Sequence, residues 1–349
     1  MQKFINKIIC GDCIELLNGA REPFADLIFA DPPFNIGYKY DKYQDKVKRK
    51  KYIAWTMDWM STCFNVLKPN GSFYIAIGDD YAADVKKISE DLELVMRNWI
   101  IWHYTFGQQT KNKFARSHTH IFYFTKDKSN FTFNDDSIRV FSDRQKIYND
   151  KRANPKGKLP DDVWKEFPRI CGTFEERTGW HPCQMPESVL ARIIRASSNE
   201  GDVVLDPFAG SGTTAVVAMK LNRKYTGIDI SKKYVRQAQH RLQRAKGRSI
   251  EGQGDKKWTE YAEQELKWLY YENQIPTEEL FDNEFLFNLF TAKFNKRINE
   301  NTNLYNQNDI ERCLMGMRKS GKLGPLEKDK KKSSKTSKAS KRKITAIGK

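Results

Sequence analysis

Val203-Val204-Leu205-Asp206-Pro207-Phe208-Ala209-Gly210-Ser211-Gly212-Thr213-Thr214 runs from a short apolar strand into a glycine turn, and the helix-forming AVVAMKL that follows completes a strand–turn–helix unit. Glycine in such a turn lets backbone N–H groups approach a ligand closely, and the helix start favours an anionic group such as a carboxylate. A second apolar run, residues 224–230 (KYTGIDI), ends in Asp229, placed to hydrogen-bond a ribose diol. Strands that alternate in this way with helical stretches predict an α/β fold with a doubly wound, mostly parallel sheet.

Gly210-Ser211-Gly212-Thr213-Thr214-Ala215 also satisfies a dinucleotide fingerprint, and Asp229 suits either a dinucleotide or a nucleoside sulfonium. Asp206 separates the two readings. A carboxylate just ahead of the glycine turn attracts the positive amino group and sulfonium of S-adenosylmethionine and is poorly placed beside a pyrophosphate. Upstream, the apolar run Ala25–Ala30 (ADLIFA) ends at Asp31-Pro32-Pro33-Phe34. The prolines fix φ near about −65°, aim the Pro32 carbonyl and supply no N–H. An exocyclic amino group has two N–H donors, which a carboxylate and a carbonyl oxygen accept, while an aromatic ring stacks on the base. A plain Pro-Pro turn after a strand is the other reading of the same four residues.

With both motifs in place, the chain closely resembles the amino-methyltransferases that modify DNA, in the permuted order called the β class. In that family a D-P-P-Y/F tetrapeptide precedes the target-recognition region and a D-P-F-x-G-S-G-T-T loop follows it, the order kept here. His181-Pro182-Cys183-Gln184-Met185-Pro186-Glu187 resembles the family's H-P-T-Q-K-P-E, with Cys183 and Met185 in place of threonine and lysine, and leads into a helix over residues 188–196. Cys10-Gly11-Asp12-Cys13 resembles its G-D-C segment, where the aspartate lies near the cofactor adenine. The resemblance spans residues 7–242.

It implies a Rossmann-like class I methyltransferase domain over residues 1–246 with a target-recognition insert at 129–179; beyond it, apolar residues at helical spacing predict a small helical appendage at 255–320 and the Lys/Ser-rich composition a disordered tail at 327–349. It also implies catalytic roles for Asp31, Pro32, Pro33 and Phe34. S-adenosylmethionine would be held by Asp12, Cys13, Asp31, His181, Gln184, Pro186, Asp206, Phe208, Gly210, Ser211, Gly212, Thr213 and Asp229. The implied reaction is direct methyl transfer to the exocyclic N6 of an adenine flipped from double-stranded DNA, as in restriction-modification. An initial aspartate in the tetrapeptide goes mostly with adenine; cytosine-N4 is the alternative base. A non-catalytic nucleic-acid-binding partner is a third reading, against which Asp31, Phe34, Asp206 and the glycine turn all stand. A dinucleotide oxidoreductase leaves the D-P-P-F segment unexplained. The resemblance admits a homodimer, and no membrane partner is expected.

Composition agrees. The 349 residues, 39% hydrophobic, suffice for a full α/β core, and a formal net charge of +17 favours a polyanionic partner. Residues 327–349 hold ten Lys or Arg against two acids, so the body is basic as well. No apolar run is long enough to cross a bilayer and no signal-peptide cleavage site is present, which points to the cytoplasm. Six scattered cysteines suit an intracellular chain. Cys10 and Cys13 form a C-x-x-C that His181 and Cys183 could in principle complete as a zinc site, but no second such pair exists, and no metal is expected.

Three regions are less regular. Residues 38–52 (YKYDKYQDKVKRKKY) interleave Lys/Arg with tyrosine, a pattern for phosphate contact and base stacking or for a solvated mobile loop. Within 129–179, the base-reading candidates are Arg139, Arg144, Gln145, Arg152 and Asn154. Beyond residue 242, Trp258, Tyr261, Ala262, Leu266, Leu269 and Tyr270 recur at helical spacing, and Thr277 is the expected cap of a following helix.

Overall fold

The computed structural model describes residues 3–108, 111–172, 174, 176–246, 258–298, 305–324 and 326. The tail expected at 327–349 lies outside them. The chain divides into two compact units, Met1–Ile138 with Pro160–Arg248, and Arg139–Leu159 with Ser249–Lys349.

In chain order the elements begin β1 (Lys7–Cys10), α1 (Cys13–Asn18), β2 (Ala25–Ala30), α2 (Arg49–Val66), β3 (Leu67–Ile77) and α3 (Asp79–Asp91). The long pair β4 (Val95–Gln108) and β5 (Arg116–Thr125) follows, then α4 (Asp135–Ile138), α5 (Asp143–Tyr148) and the short β6 (Val163–Trp164). The first unit closes with α6 (Glu187–Ser197), β7 (Val203–Asp206), α7 (Thr213–Lys220), β8 (Lys224–Asp229) and α8 (Lys232–Lys246).

Among the described residues, eight strands form one sheet in the order β1-β8-β7-β2-β3-β5-β4-β6. All neighbours run parallel except β5, which is antiparallel to β3 and to β4. From β2 the chain winds through α2 to β3 on one side; from β7 it winds through α7 to β8 on the other. The winding therefore reverses between β2 and β7, and a crevice opens beyond their carboxyl ends. Their register pairs Leu27 with Val204 and Ile28 with Leu205. Leu27, Ile28, Phe29, Ala30, Val204 and Leu205 are all buried, as central parallel strands covered on both faces require.

α6 is buried along its whole length, charges included. The Arg192 guanidinium lies 4.4 Å from the Phe167 ring centroid and 5.1 Å from that of Trp164, and pairs with Glu166, so its burial is compensated by a carboxylate and two ring faces.

The second unit contains α9 (Glu260–Asn273), α10 (Thr277–Phe281), α11 (Glu284–Ile298) and α12 (Gln307–Lys319) together with residues 139–159. The apolar stripe read beyond residue 242 packs into a core of Trp258, Leu266, Leu269, Phe290, Phe294 and Leu314. Thr259 caps α9, and Asn306 with Asp309 makes a capping box at α12. Thr277, expected as a cap, is instead the first helical residue after Pro276, and its hydroxyl accepts a hydrogen bond from Arg318 Nη1 at 2.6 Å. Proline at the preceding position already fixes the entry backbone.

The region 129–179 is divided between the units. Residues 139–159 are built into the helical core through Phe141, whose ring is buried and whose N–H donates to Asn273 Oδ1 at 3.0 Å. Asn283 donates to Asn149 Oδ1 at 2.7 Å, and the Lys293 ammonium lies 5.2 Å from the Phe141 centroid. Among the described residues, no helix is long and apolar enough to cross a membrane.

Removing the Phe141 ring should open a cavity in this core. Phe141→Ala is expected to cost about 3–5 kcal/mol, read as a lowered urea midpoint of the tryptophan signal.

Candidate active site

A cavity of about 670 Å³ opens beyond the carboxyl ends of β1, β2, β7 and β8, and each strand delivers a chemical group as it ends: Asp12, Asp31, Asp206 and Asp229 all line it. Asp31 follows β2 directly and Asp206 closes the adjacent β7, so the pairing of the two strands brings both carboxylates to one wall. Burial, and then the charge of Asp206, pushes the Asp31 carboxyl up to about 8. Burial raises Asp206 to about 7, against hydrogen bonds from the Thr214 hydroxyl and the Phe208 N–H at 2.9 Å. Asp31 has no hydrogen-bond partner among the described residues. Two desolvated acids in one cavity are suited to a cationic ligand, whose charge would restore both to the carboxylate form.

The glycine turn is fixed from both sides. Gly210 has φ +45°, and a Cβ there would fall 2.7 Å from His181 Nε2. Its N–H donates to Asp229 Oδ2 at 2.9 Å, and Ser231 N–H donates to Asp229 Oδ1 at 2.7 Å. Asp229 is thus aimed by backbone donors while each oxygen keeps an accepting lone pair for a diol. Behind the turn, Arg241 donates to the Ser211 carbonyl at 3.1 Å, to Thr213 Oγ1 at 2.8 Å and to Glu187 Oε1 at 2.8 Å. Lys220 donates to Glu187 Oε2 at 3.0 Å. Burial alone would raise Glu187, but these two cations hold it down at about 2. Glu187 stands in the H-P-x-Q-x-P-E stretch without having been assigned a role; nothing in the spacing signals Arg241.

Of the residues expected at the site, Asp12, Cys13, Asp31, Pro32, Pro33, Phe34, His181, Gln184, Asp206, Phe208, Gly210, Ser211, Thr213 and Asp229 line the cavity. Pro186 and Gly212 do not. Pro186 caps α6, and Gly212 caps α7 with φ +73°, packed so that a Cβ would meet Ala238 at 2.8 Å. Asp12 accepts from the N–H groups of Ile14 at 2.7 Å and Glu15 at 3.3 Å, and so caps α1. The Gln184 amide is engaged locally, accepting from Thr178 N–H at 2.9 Å and donating to the Glu176 carbonyl at 2.6 Å. Burial lowers His181 to about 4, so it is neutral at physiological pH. Burial also lifts the Cys13 thiol to about 12, so it is neutral at physiological pH, while the exposed Cys10 donates its S–H to the Ile230 carbonyl at 3.7 Å.

The tetrapeptide is held by residues that sequence reasoning placed elsewhere. Tyr52 donates to the Pro33 carbonyl at 2.6 Å, whereas the Pro32 carbonyl accepts from none of the described residues. Phe34 lies against Gly78, where a Cβ would sit 3.3 Å from its ring. Buried Asp45 accepts from the N–H groups of Asn35 at 2.6 Å, Ile36 at 3.2 Å and Tyr38 at 2.9 Å, and the Asn35 amide bridges Val47 and Tyr81. Asp41 accepts from Ser231 Oγ at 2.6 Å. Residues 38–52 are therefore a pinned wall: Tyr40, Lys42 and Tyr43 line the cavity, Tyr52 is buried, and Lys39, Lys46 and Lys48 are exposed. The side chains of Trp55 and Trp59 pack edge-on against Phe208, with centroids 5.6 and 5.2 Å away.

A family model described as DNA methylase matches residues 25–240. The type II methyltransferase M.HpaI of Haemophilus parainfluenzae is 42% identical over 237 residues, covering 68% of this chain and 74% of that protein. The DNA adenine methyltransferase YhdJ of Escherichia coli (strain K12) is 38% identical over 252 residues, covering 70% and 85%. Among solved structures, PvuII DNA methyltransferase (cytosine-N4-specific) covers 82% of this chain and 92% of its own at a TM-score of 0.52 and 16% identity, a likeness of fold.

Two outcomes follow from these charges. Glu187→Gln strands two buried cations and should cost about 3–5 kcal/mol in urea unfolding. Asp31 carries a raised pKa in the folded state, so between the ordinary value of 3.8 and about 8 the folded protein binds the extra proton. Its contribution to stability therefore falls as pH rises through that window. Asp31→Asn should raise Tm relative to the parent, without ligand, by a margin that grows from pH 5 to pH 8; a margin independent of pH would refute the assignment.

Proposed function

The chain belongs to the DNA methylase family, and from that membership we propose that it transfers the methyl group of S-adenosylmethionine to the exocyclic N6 of an adenine flipped out of double-stranded DNA. The observation that carries this is Asp31: an acid without a hydrogen-bond partner among the described residues, at the strand end beside Asp206, in the wall of the cavity. When bound, S-adenosylmethionine supplies an electrophilic methyl group on a sulfonium. Asp229 would take its ribose diol, Asp206 its positive amino-acid end, and the Gly210 backbone leaves room for close approach.

Asp31 as carboxylate accepts one N–H of the target amino group, and the Pro32 carbonyl, which has no donor among the described residues, accepts the other. Both bonds orient the nitrogen lone pair towards the methyl donor, and orientation with preorganised acceptors is where the rate gain arises. Phe34, backed by Gly78, stacks on the extruded base and offsets part of an unstacking cost of a few kcal/mol. As the N–C bond forms the methyl–sulfur bond breaks, its electron pair leaving with sulfur as the neutral thioether S-adenosylhomocysteine, and the nitrogen becomes cationic and loses a proton. Asp31, whose acidity burial has moved close to neutrality, receives it. Adenine is favoured over cytosine by the aspartate that opens the tetrapeptide and by the 38% identity to a relative named for adenine. A chromosomal substrate implies work in the cytoplasm.

Incubation with labelled cofactor and unmodified genomic DNA, followed by nucleoside mass spectrometry, should give N6-methyladenine. N4-methylcytosine alone would move the target to the other base. Asp31→Ala should still bind cofactor in calorimetry, through Asp206 and Asp229, and lose turnover at saturating cofactor by about 10²–10⁴-fold; near-normal turnover would remove Asp31 from the mechanism.

A further inference from the structure

Residues 139–159 leave the methyltransferase unit after Ile138, become part of the helical unit, and return at Pro160. An excursion of this length could remain a surface loop at little entropic cost. Here it is anchored instead: Phe141 enters the helical core, Asn149 is held by Asn283, and Gln145 is fully buried, closing a capping box with Ser142 and donating to the Asn154 carbonyl at 3.0 Å. Of the five base-reading candidates, Gln145 is thereby removed, and Arg139 donates to the Gly157 carbonyl at 3.1 Å. Asn154 Oδ1 is used by Lys156 N–H. Arg144 and Arg152 are the two guanidiniums presented outward, with side chains 59% and 86% exposed.

One carboxylate organises that pair. Asp150 accepts from Arg144 Nη2 at 2.6 Å and from Arg152 Nε at 3.0 Å, so two cations are displayed at a fixed spacing. Beside them on α5, Ile147 and Tyr148 are 63% and 74% exposed, large apolar side chains with no core to enter. The segment holds seven Lys or Arg against two acids. Rigid guanidiniums flanking exposed apolar wedges match a partner that is anionic outside and stackable inside, which describes duplex DNA.

We propose that residues 139–159 and the helical unit they are built into form one DNA-reading module, with Arg144 and Arg152 on the sugar-phosphate backbone and Ile147 with Tyr148 against the bases. This assignment builds on the DNA methyltransferase reading and adds a role for the C-terminal helices: they hold the reading corner rigid. The test uses the full chain, the single variants Arg152→Ala and Tyr148→Ala, and a labelled duplex carrying the methylated sequence. Arg152→Ala should weaken duplex binding about fivefold or more and lower the salt slope by about one. Tyr148→Ala should reduce kcat/KM for DNA about tenfold with S-adenosylmethionine affinity and Tm unchanged. Phe141→Ala should reduce DNA binding through loss of the anchor. If the parent methylates DNA and both exposed-residue variants bind and turn over like it at every salt concentration, the module assignment is wrong. If the parent methylates no DNA yet both variants lose duplex binding, the module stands and the methyltransferase reading fails.

Discussion

The parallel pairing of β2 with β7 is the constraint from which the site follows. These strands lie far apart in sequence, and each continues to a different side of the sheet, so their shared carboxyl end is the place where no crossover helix covers the crevice. Register then fixes the chemistry. With Ile28 opposite Leu205, both strands end almost level, and Asp31 and Asp206 come to one wall. Neither acid has a good electrostatic reason to be there in the folded protein alone; both are raised by burial, and Asp31 is raised further by its neighbour. The hydrophobic strands hold them in place, which is how a fold stores polar groups for a ligand.

The glycine turn shows the opposite strategy. Its shape is secured by charges that are fully paired: Glu187 with Lys220 and Arg241, and Arg241 again with the Ser211 carbonyl and the Thr213 hydroxyl. A buried carboxylate satisfied by two cations is neither available to a ligand nor easily moved. The difference between Glu187 and Asp31 is thus one of partners, and it is visible in the opposite directions of their pKa shifts.

The strand ends at the cavity were legible in the sequence, because β2, β7 and β8 are short runs closed by Asp31, Asp206 and Asp229, and β1 by Gly11 and Asp12, a pattern that local chemistry imposes. Interactions that join distant segments were not. Asp45 sits in a lysine-rich stretch that reads as solvent-facing, yet it is buried on three N–H groups of the loop after Phe34. Of the thirteen residues expected to hold the cofactor, Asp206, Asp229 and the glycine turn follow from their own chemistry, whereas Pro186 and Gly212 rest on motif position, and the fold assigns those two to capping helices. Residues 139–159 read as one stretch with their neighbours; Phe141 in the helical core and Asn149 held by Asn283, both reaching helices more than 100 positions later, decide their unit.

A protein of net charge +17 that must also seat a cationic cofactor faces two opposed electrostatic demands. The long-range field draws a polyanion, and it would repel a sulfonium. The fold separates them by depth. Surface lysines such as Lys39, Lys46 and Lys48 act through water, where screening confines their influence to about 8 Å at physiological salt. Asp31, Asp206 and Asp229 act from within a desolvated cavity, where the effective dielectric is lower and each unit of charge counts for more. With Asp31 and Asp206 both raised by burial, the cavity carries little negative charge until a cation enters and favours their carboxylate form. Lys42, Arg116 and Arg169 line the same cavity, so a ligand meets acids that its own positive charge can ionise and, apart from them, bases that can take a negative group.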